Sequence, residues 1–580
     1  MATLFDSASL VMIPSGYKDD KLYSIKPTDG SGDFTFSRDG SGASPATRVN
    51  ASGLIEKGRE NVLLQSNSFD TTWSNVLSGS ITGGQSGYDG SNDAWELSKG
   101  ATAYRYIVQN ISQSGVNTFS IYAKAGTLNQ VTIFNDTGAT NPYAKFSLVD
   151  GSLVASAGII DSNATDVGGG WWRFSMTFNA TITTARIYPD FAETTAGTIY
   201  IQDAQLEQGL ISTSYIETTT APVSAGLLGD MPRLDYSGGA TCPSLLLEPS
   251  RSNYATQSEY IGVWSQNDVT GTDNFATSPE GVKNAAKISA SLTSSTHFIQ
   301  LIGGAVGDDA VISVFAKADT GSYIQLTNPY SGAIFANFDV ATGVVGTKGS
   351  GCISSDIEDY GNGWYRCTAV FDNTGFTSTT YRHYIVSSAS AGFGQSWLPA
   401  SDTSLFIYGH QWESGSYPTS YIPTYGSAST RGNETAITSA STLGGLSIGT
   451  FFIEMTRQGI DTGVTGSAIS LRDNAGAEEL RLHFDAPTSQ VRWRDGNNGF
   501  AQIGGALAVT AGTTFKILIK SDGTTAKVFG NGAQVGSDYS IVSAFDLQRI
   551  YNYQLGYEIK QQLFFPTALT DAECIALTTL

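Results

Sequence analysis

The chain has 580 residues, a formal net charge of −20 and only 14% charged residues, a length that holds three to five domains at ~100–200 residues each. Such an acidic chain, with no Lys/Arg stripe, repels phosphates and excludes nucleic-acid binding. Its 11% aromatic content excludes disorder, and no apolar run approaches the ~20 residues of a membrane span.

Short Val/Ile/Thr/Tyr/Phe runs between Gly- and Asn-rich turns predict an all-β chain. The start, Met1 to Asp6, lacks a basic n-region, and Leu10 to Pro14 is too short for a signal core, so no signal peptide is expected. Residues 1–58 read as extended strands and turns, too small to bury a core alone, and are expected to serve as an attachment segment packed on a partner or on the first domain. Residues 59–217 read as a first β-sandwich. In it Phe119, Ile121 and Ala123 point inward, and Trp172, Phe174, Met176 and Phe178 share the core face of a second strand. Residues 218–252 form a connector too apolar to be a floppy linker. Residues 253–423 are a second sandwich, with Ile312, Val314 and Ala316 inward. Residues 424–580 change pattern: Phe451, Ile453 and Met455 alternate with polar or outward positions, and Asp522-Gly523 and Asn531-Gly532 signal hairpins. One short helix is expected, at the end, with Thr570 and Glu573 as a capping box and Leu569 with Cys574 as a staple.

The two sandwiches are copies. Glu56, Arg59 and Asn61 recur as Glu248, Arg251 and Asn253, displaced by 192 positions, and Gly170-Trp171-Trp172-Arg173 recurs as Gly363-Trp364-Tyr365-Arg366, displaced by 193. Each copy closes on the same phrase, Gln205-Leu206-Glu207-Gln208-Gly209 with Thr213-Ser214-Tyr215-Ile216, and Gln411-Trp412-Glu413-Ser414-Gly415 with Thr419-Ser420-Tyr421-Ile422. That phrase is displaced by 206, which places about a dozen extra residues between Arg366 and Gln411. The period is far too long for a solenoid unit.

Several ordered phrases resemble the fibre- and appendage-type virion proteins of tailed bacteriophages: Ile13-Pro14-Ser15-Gly16-Tyr17-Lys18, Ala46-Thr47-Arg48-Val49-Asn50 with Gly53-Leu54-Ile55-Glu56, Pro232-Arg233-Leu234-Asp235-Tyr236 with Leu246-Leu247-Glu248-Pro249, and the two closing phrases. The resemblance implies tandem jelly-roll sandwiches of the carbohydrate-binding type, followed by a concanavalin A/laminin-G-like sandwich over the last segment. It implies a virion component made in the host cytoplasm, joined to other virion proteins through its N-terminal segment and contacting bacterial surface glycans as a homo-oligomer, as in trimeric appendages. Tail fibres, head fibres and tailspikes carry such modules alike, so a purely structural decoration protein and a polysaccharide depolymerase stay open beside the attachment reading.

No catalytic constellation stands out, and the chain is expected not to be an enzyme. The last segment holds no Glu-x-Asp-x-Glu run to set two carboxylates ~5–5.5 Å apart, and Glu478 and Glu479 point to opposite faces of a strand. The sugar-binding candidates are Trp171 with Arg173, Trp364 with Arg366, and Trp493 between Arg492 and Arg494. A ring beside a guanidinium stacks on a sugar's C–H face and hydrogen-bonds its hydroxyls. The competing reading makes Trp171 and Trp364 plugs of the sandwich mouth, pairs Arg173 and Arg366 with Glu207 and Glu413 to pin the closing strand, and turns Trp493 into the core. In that reading Gln205, Glu207, Tyr215, Gln411, Glu413 and Tyr421 are structural. The histidines (His297, His383, His410, His483) lack metal-ligand spacing and are expected to be ordinary ones; His410 stands where the first copy has Ala204. No cofactor is expected beyond structural calcium, for which Tyr88 to Asp93 and Asp308-Asp309 offer oxygens without EF-hand spacing. Cys352 and Cys367 either meet across strands or stay core thiols, the second being favoured.

Overall fold

A computed structural model describes residues 2–39, 44–138, 141–303, 306–307, 309–375, 380–439, 441–459, 466–485, 488–553 and 555–579. The first sandwich stacks two six-stranded antiparallel sheets. One runs in the order Asp161–Gly168, Trp171–Asn179, Val116–Ala125, Gly197–Gln208, Ala94–Lys99, Ile81–Gln85. The other runs Leu153–Ala157, Tyr143–Ser147, Gln130–Asp136, Ile182–Pro189, Ile107–Gln113, Ser74–Asn75. The second sandwich repeats both orders strand for strand. Its first sheet runs Cys352–Asp359, Trp364–Asp372, Asp309–Ala318, Thr403–Ser414, Ala285–Ala290, Val269–Ala276. Its other sheet runs Val344–Lys348, Phe335–Asp339, Tyr323–Thr327, Thr380–Ile385, His297–Ile302, Ser265–Asn267.

Alternation dictates the cores. Phe119, Ile121, Ala123, Phe174, Met176 and Phe178 meet between the first pair of sheets, with Trp172 at their edge. Ile312, Val314, Ala316, Cys367, Ala369 and Phe371 do so in the second. Cys367 lies opposite Ile357, and Cys352 opposite Phe371, so the two thiols are not cross-strand partners, and both are free. Even the irregularities recur. The pairing of the central strand with the closing strand slips between Ser120 and Tyr122, and again between Ser313 and Phe315. The residue absorbing the slip has positive φ in both, Asp203 at 53° and Gly409 at 62°.

Residues 1–58, expected to pack on a partner or on the first sandwich, contribute strands to the C-terminal sandwich. Leu10–Met12 pairs with Tyr557–Phe565, and Phe34–Ser37 pairs with Thr435–Thr438. Leu234–Asp235 and Ser244–Leu247, from the connector, extend the same sheet as Tyr557–Phe565. The C-terminal sandwich is thus two nine-stranded sheets assembled from three remote pieces of chain. The cause is apolar: Leu10, Met12, Leu22, Phe34, Phe36, Leu245 and Leu247 share one core with Phe451, Ile453, Trp493 and Phe564. Burying them there removes from water the surface that a short segment has nowhere else to hide.

The expected helix spans Asp571–Thr578 with its capping box formed, and Leu569 and Cys574 are buried in one apolar cluster. A second helix, Ala2–Ser7, was not anticipated; Leu4 and Phe5 pack into the same cluster, on the outer face of the C-terminal sandwich.

Candidate functional site

The two closing phrases build the same clip twice. Glu207 accepts from the Thr213 backbone N–H (2.8 Å) and hydroxyl (2.6 Å), and Glu413 from those of Thr419 at the same distances. Gln205 and Gln411 donate to these carboxylates and accept from Ile216 N–H and Ile422 N–H. Tyr215 reaches Ser66 (2.6 Å) and Tyr421 reaches Ser258 (2.7 Å). Burial raises the Glu207 pKa.

Arg173 and Arg366 belong to these clips, but not as expected. Arg366 donates to the Thr419 carbonyl (2.7 Å) and the Ser313 hydroxyl (3.0 Å), and Arg173 to the Thr213 carbonyl and Ser120. The expected Arg–Glu pairing is corrected: the two side chains hold opposite ends of one threonine. The rings are not open platforms either. Trp171 is 3% exposed, wedged beside Tyr122 and Ala94. Trp364 is 2% exposed and donates its indole N–H to the Thr277 carbonyl (3.0 Å). Trp493 lies wholly in the C-terminal core, edge-on to Phe451. A sugar ring has no access to these three indoles.

What opens to solvent on that side is a cleft of about 770 Å³ between the second sandwich and the C-terminal one. Asp356, Glu358, Tyr360 and Arg366 come from the second sandwich, Gln458, Glu558 and Lys560 from the C-terminal one, and Arg48 and Asp235 from the segments that join them. Several of these groups are committed. Arg48 is tied to Glu56 (2.9 Å) and Tyr17 (2.6 Å), and Asp235 accepts from Val49 N–H (2.7 Å) and Ser237 N–H (3.0 Å). Glu358 and Glu558 are half-buried, and Gln458 Oε1 has no hydrogen-bond partner. Burial and the charge of Asp235 push Glu558 up to about 7; burial also raises Glu358, against the pull of Arg366. A carboxyl whose protonation persists toward neutrality can donate a hydrogen bond there, which an ionised one cannot.

The sequence reading missed Glu358 and Glu558. They lie 200 positions apart, on different sandwiches, and no local pattern joins them. One signal was present: Asp356 and Glu358 stand where the first copy has Asn163 and Thr165, opposite the same strand positions. The two copies diverge toward acid where the second faces the cleft.

His383 and His410 form a buried pair (Nε2 to Nδ1, 2.9 Å) against Trp264, and burial drives both pKa values down, His383 to about 3. Among the described residues no three His, Cys, Asp or Glu converge as a metal site. In the loop from Tyr88 to Asp93, Asp89 accepts from Ser91 N–H (3.0 Å) and Asp93 from Gln202 (2.8 Å). Asp308 lies outside the described residues.

No family model and no curated protein matches this chain. Solved structures do. The carbohydrate-binding module CBM40 of a Ruminococcus gnavus sialidase, bound to α2,3-sialyllactose, is 16% identical over 23% of this chain and 84% of its own, with a TM-score of 0.19. The module CBM66 of Bacillus subtilis is 14% identical over 26% and 88%, with a TM-score of 0.18. Trypanosoma rangeli sialidase with 2,3-difluorosialic acid is 10% identical over 98% and 97%, with a TM-score of 0.22. Scores this low transfer neither ligand nor activity. Sialidases are among the structures matched over 98% of this chain, and the expectation that the chain is not an enzyme is not kept.

Proposed function

We propose that this chain is a carbohydrate-binding appendage protein of a tailed-bacteriophage particle, and that it takes a segment of bacterial surface glycan into the cleft between its second and C-terminal sandwiches. The observation that carries the reading is the cleft itself: about 770 Å³, lined by Glu358, Glu558 and Lys560. A polyol needs donors and acceptors at close spacing in a site of this size. The phage setting rests on the ordered phrases that resemble virion appendages. In that setting an oligomer, trimeric by the same resemblance, gains roughly 10²–10⁴ in avidity from weak sites engaged together.

The test is binding of purified full-length protein to a bacterial surface polysaccharide array, beside a Glu358→Gln/Glu558→Gln variant shown by thermal unfolding to be no less stable than the parent. Retention by at least one polysaccharide, lost in the double variant, supports the reading. No retention, or retention indifferent to both substitutions, refutes the cleft as the site. Reducing ends counted in the same samples report whether glycosidic bonds break, which binding alone does not produce.

A further inference from the structure

Away from the cleft, the outer face of the first sandwich's other sheet carries a cluster of six rings. Phe191, on the loop of residues 190–196, packs on Tyr188 (5.0 Å between ring centres), Tyr143 (5.4 Å) and Phe134 (5.9 Å), and Tyr104 meets it edge-on at 5.3 Å. Tyr106 stacks near Tyr188, with the Arg186 guanidinium 4.9 Å from its ring centre. Tyr104 is 56% exposed, while Tyr143 and Phe191 are half-buried. Lys99 pins the loop by donating to the Glu193 and Thr195 carbonyls, both at 2.7 Å. Three non-glycine residues around the cluster hold positive φ: Tyr104 at 56°, Asp190 at 64° and Ala192 at 70°. Backbone strain of this kind collects where a ligand is clamped.

The second copy shows what this face looks like when sealed. There Gln325, standing where the first copy has Thr132, donates to Asn337 (2.8 Å) and the Gly392 carbonyl (2.9 Å) and accepts from Gly394 N–H (2.8 Å). Asn337 in turn donates to the Ala391 carbonyl (2.7 Å), so the longer loop of that copy is bonded down onto the sheet. In the first copy Lys145, the counterpart of Asn337, reaches the Phe191 carbonyl at 3.5 Å, and several polar atoms beneath the face are buried without partners. Thr132 Oγ1, in a fully buried residue, has no partner, and neither do Thr184 Oγ1, Arg186 Nε and Arg105 Nε. Asp190, 9% exposed, accepts no hydrogen bond at Oδ1, which faces Lys145 Nζ at 3.7 Å. Buried polar atoms are rarely left unpaired, and a group of them under one face marks a place where a partner is missing.

We infer that this face of the first sandwich is a second, independent saccharide site, in which a hexopyranose ring lies against Tyr104, Phe191 and Tyr143 and its hydroxyls meet Lys145, Asp190 and Arg105. A sugar suits both halves of the surface, since its C–H face matches the rings and its hydroxyls match the polar groups at their edge. An apolar peptide segment would cover the rings and leave those groups unpaired.

The experiment is saturation-transfer NMR on the full chain with maltotriose, cellotriose, chitotriose and trigalacturonate, repeated with Tyr104→Ala, Lys145→Ala and the cleft variant Glu558→Gln. Tyr104 is exposed, so its truncation leaves the fold intact, and thermal unfolding checks this. The expected result is transfer to at least one trisaccharide, weakened roughly tenfold by Tyr104→Ala, the loss of about 1.4 kcal/mol. Lys145→Ala weakens it too, and both losses persist when Glu558→Gln removes the contribution of the cleft. Transfer to none of the four, or transfer unmoved by both Tyr104→Ala and Lys145→Ala, overturns the inference. Transfer abolished by Glu558→Gln alone assigns the signal to the cleft and equally overturns it.

Discussion

Arg173 and Glu207 never touch, yet they grip the same residue: Arg173 holds the carbonyl of Thr213 while Glu207 holds its N–H and hydroxyl. Arg366 and Glu413 treat Thr419 identically. The clip fastens the tail of each sandwich to its closing strand through bonds to charged groups, the stronger class of hydrogen bond.

Glu413→Ala removes the acceptor for three donors at once and strands the Thr419 N–H and hydroxyl in a buried place, while the Gln411 amide keeps the Thr419 and Ser420 carbonyls. With roughly 1–3 kcal/mol for each buried group left unsatisfied, the expected loss is about 3–5 kcal/mol. Chemical denaturation reads the loss, and limited proteolysis places the first cut in the tail beyond residue 415. A cut pattern unchanged from the parent would show that the tail is held by something else.

Most of the duplicated scaffold was legible because its determinants are local. Phe119, Ile121 and Ala123 alternate within one strand, and the closing phrases carry their own partners within a dozen residues. Alternation fixes a face, not what covers it. Trp171 does point away from the core, as its position requires, but Tyr88 and Tyr122 close over it. Nor does alternation name a neighbour: Phe34 and Phe36 read as a strand, yet their partner is Thr435–Thr438, 400 positions on. The cleft was invisible for the same reason, its acids being contributed by chains that meet only through that long-range pairing.

Gly151 and Gly343, matched by the repeat, share a mechanical reason. Both have positive φ (73° and 69°), and a Cβ on either would lie 2.5 Å from a ring carbon, of Trp172 in one copy and Tyr365 in the other. Alanine at either position is expected to cost about 1–3 kcal/mol, by backbone strain and displacement of the ring. The two variants should lower the unfolding midpoint alike. A neutral Gly151→Ala beside a damaging Gly343→Ala would mean that the copies do not share this turn.

Glu558 has its pKa raised, to about 7, by burial and by the charge of Asp235. A raised carboxyl is protonated in both folded and unfolded chains below about pH 4.5, so it costs nothing there. Between about 4.5 and 7 the unfolded chain ionises first, and stability falls as pH rises, the full cost being present above 7. Glu558→Gln is therefore expected to unfold at a higher temperature than the parent at pH 8 and at the same temperature at pH 4. A variant equally shifted at both pH values would show that charge is not the cause.

The charge network around Arg233 joins the N-terminal segment, the connector and the start of the C-terminal segment. Arg233 bonds Glu434 and Glu248 and donates to the Thr47 carbonyl (3.0 Å); Arg431 meets Glu248 at 2.9 Å, and Arg38 meets Glu434 at 2.8 Å. All five side chains are shut off from solvent. Burial alone would raise the Glu248 pKa, but Arg431 and Arg233 reverse it, to about 2. A depressed carboxylate contributes stability that is complete above about pH 4.5 and is lost as pH falls toward 2. Arg233→Met leaves two buried carboxylates short of charge and is expected to cost about 3–5 kcal/mol at neutral pH. It should also move the onset of acid unfolding, followed by tryptophan fluorescence, to higher pH, because Glu248 and Glu434 then take up protons sooner. An acid transition that stays put in Arg233→Met would show that the network does not set the acid limit of the fold.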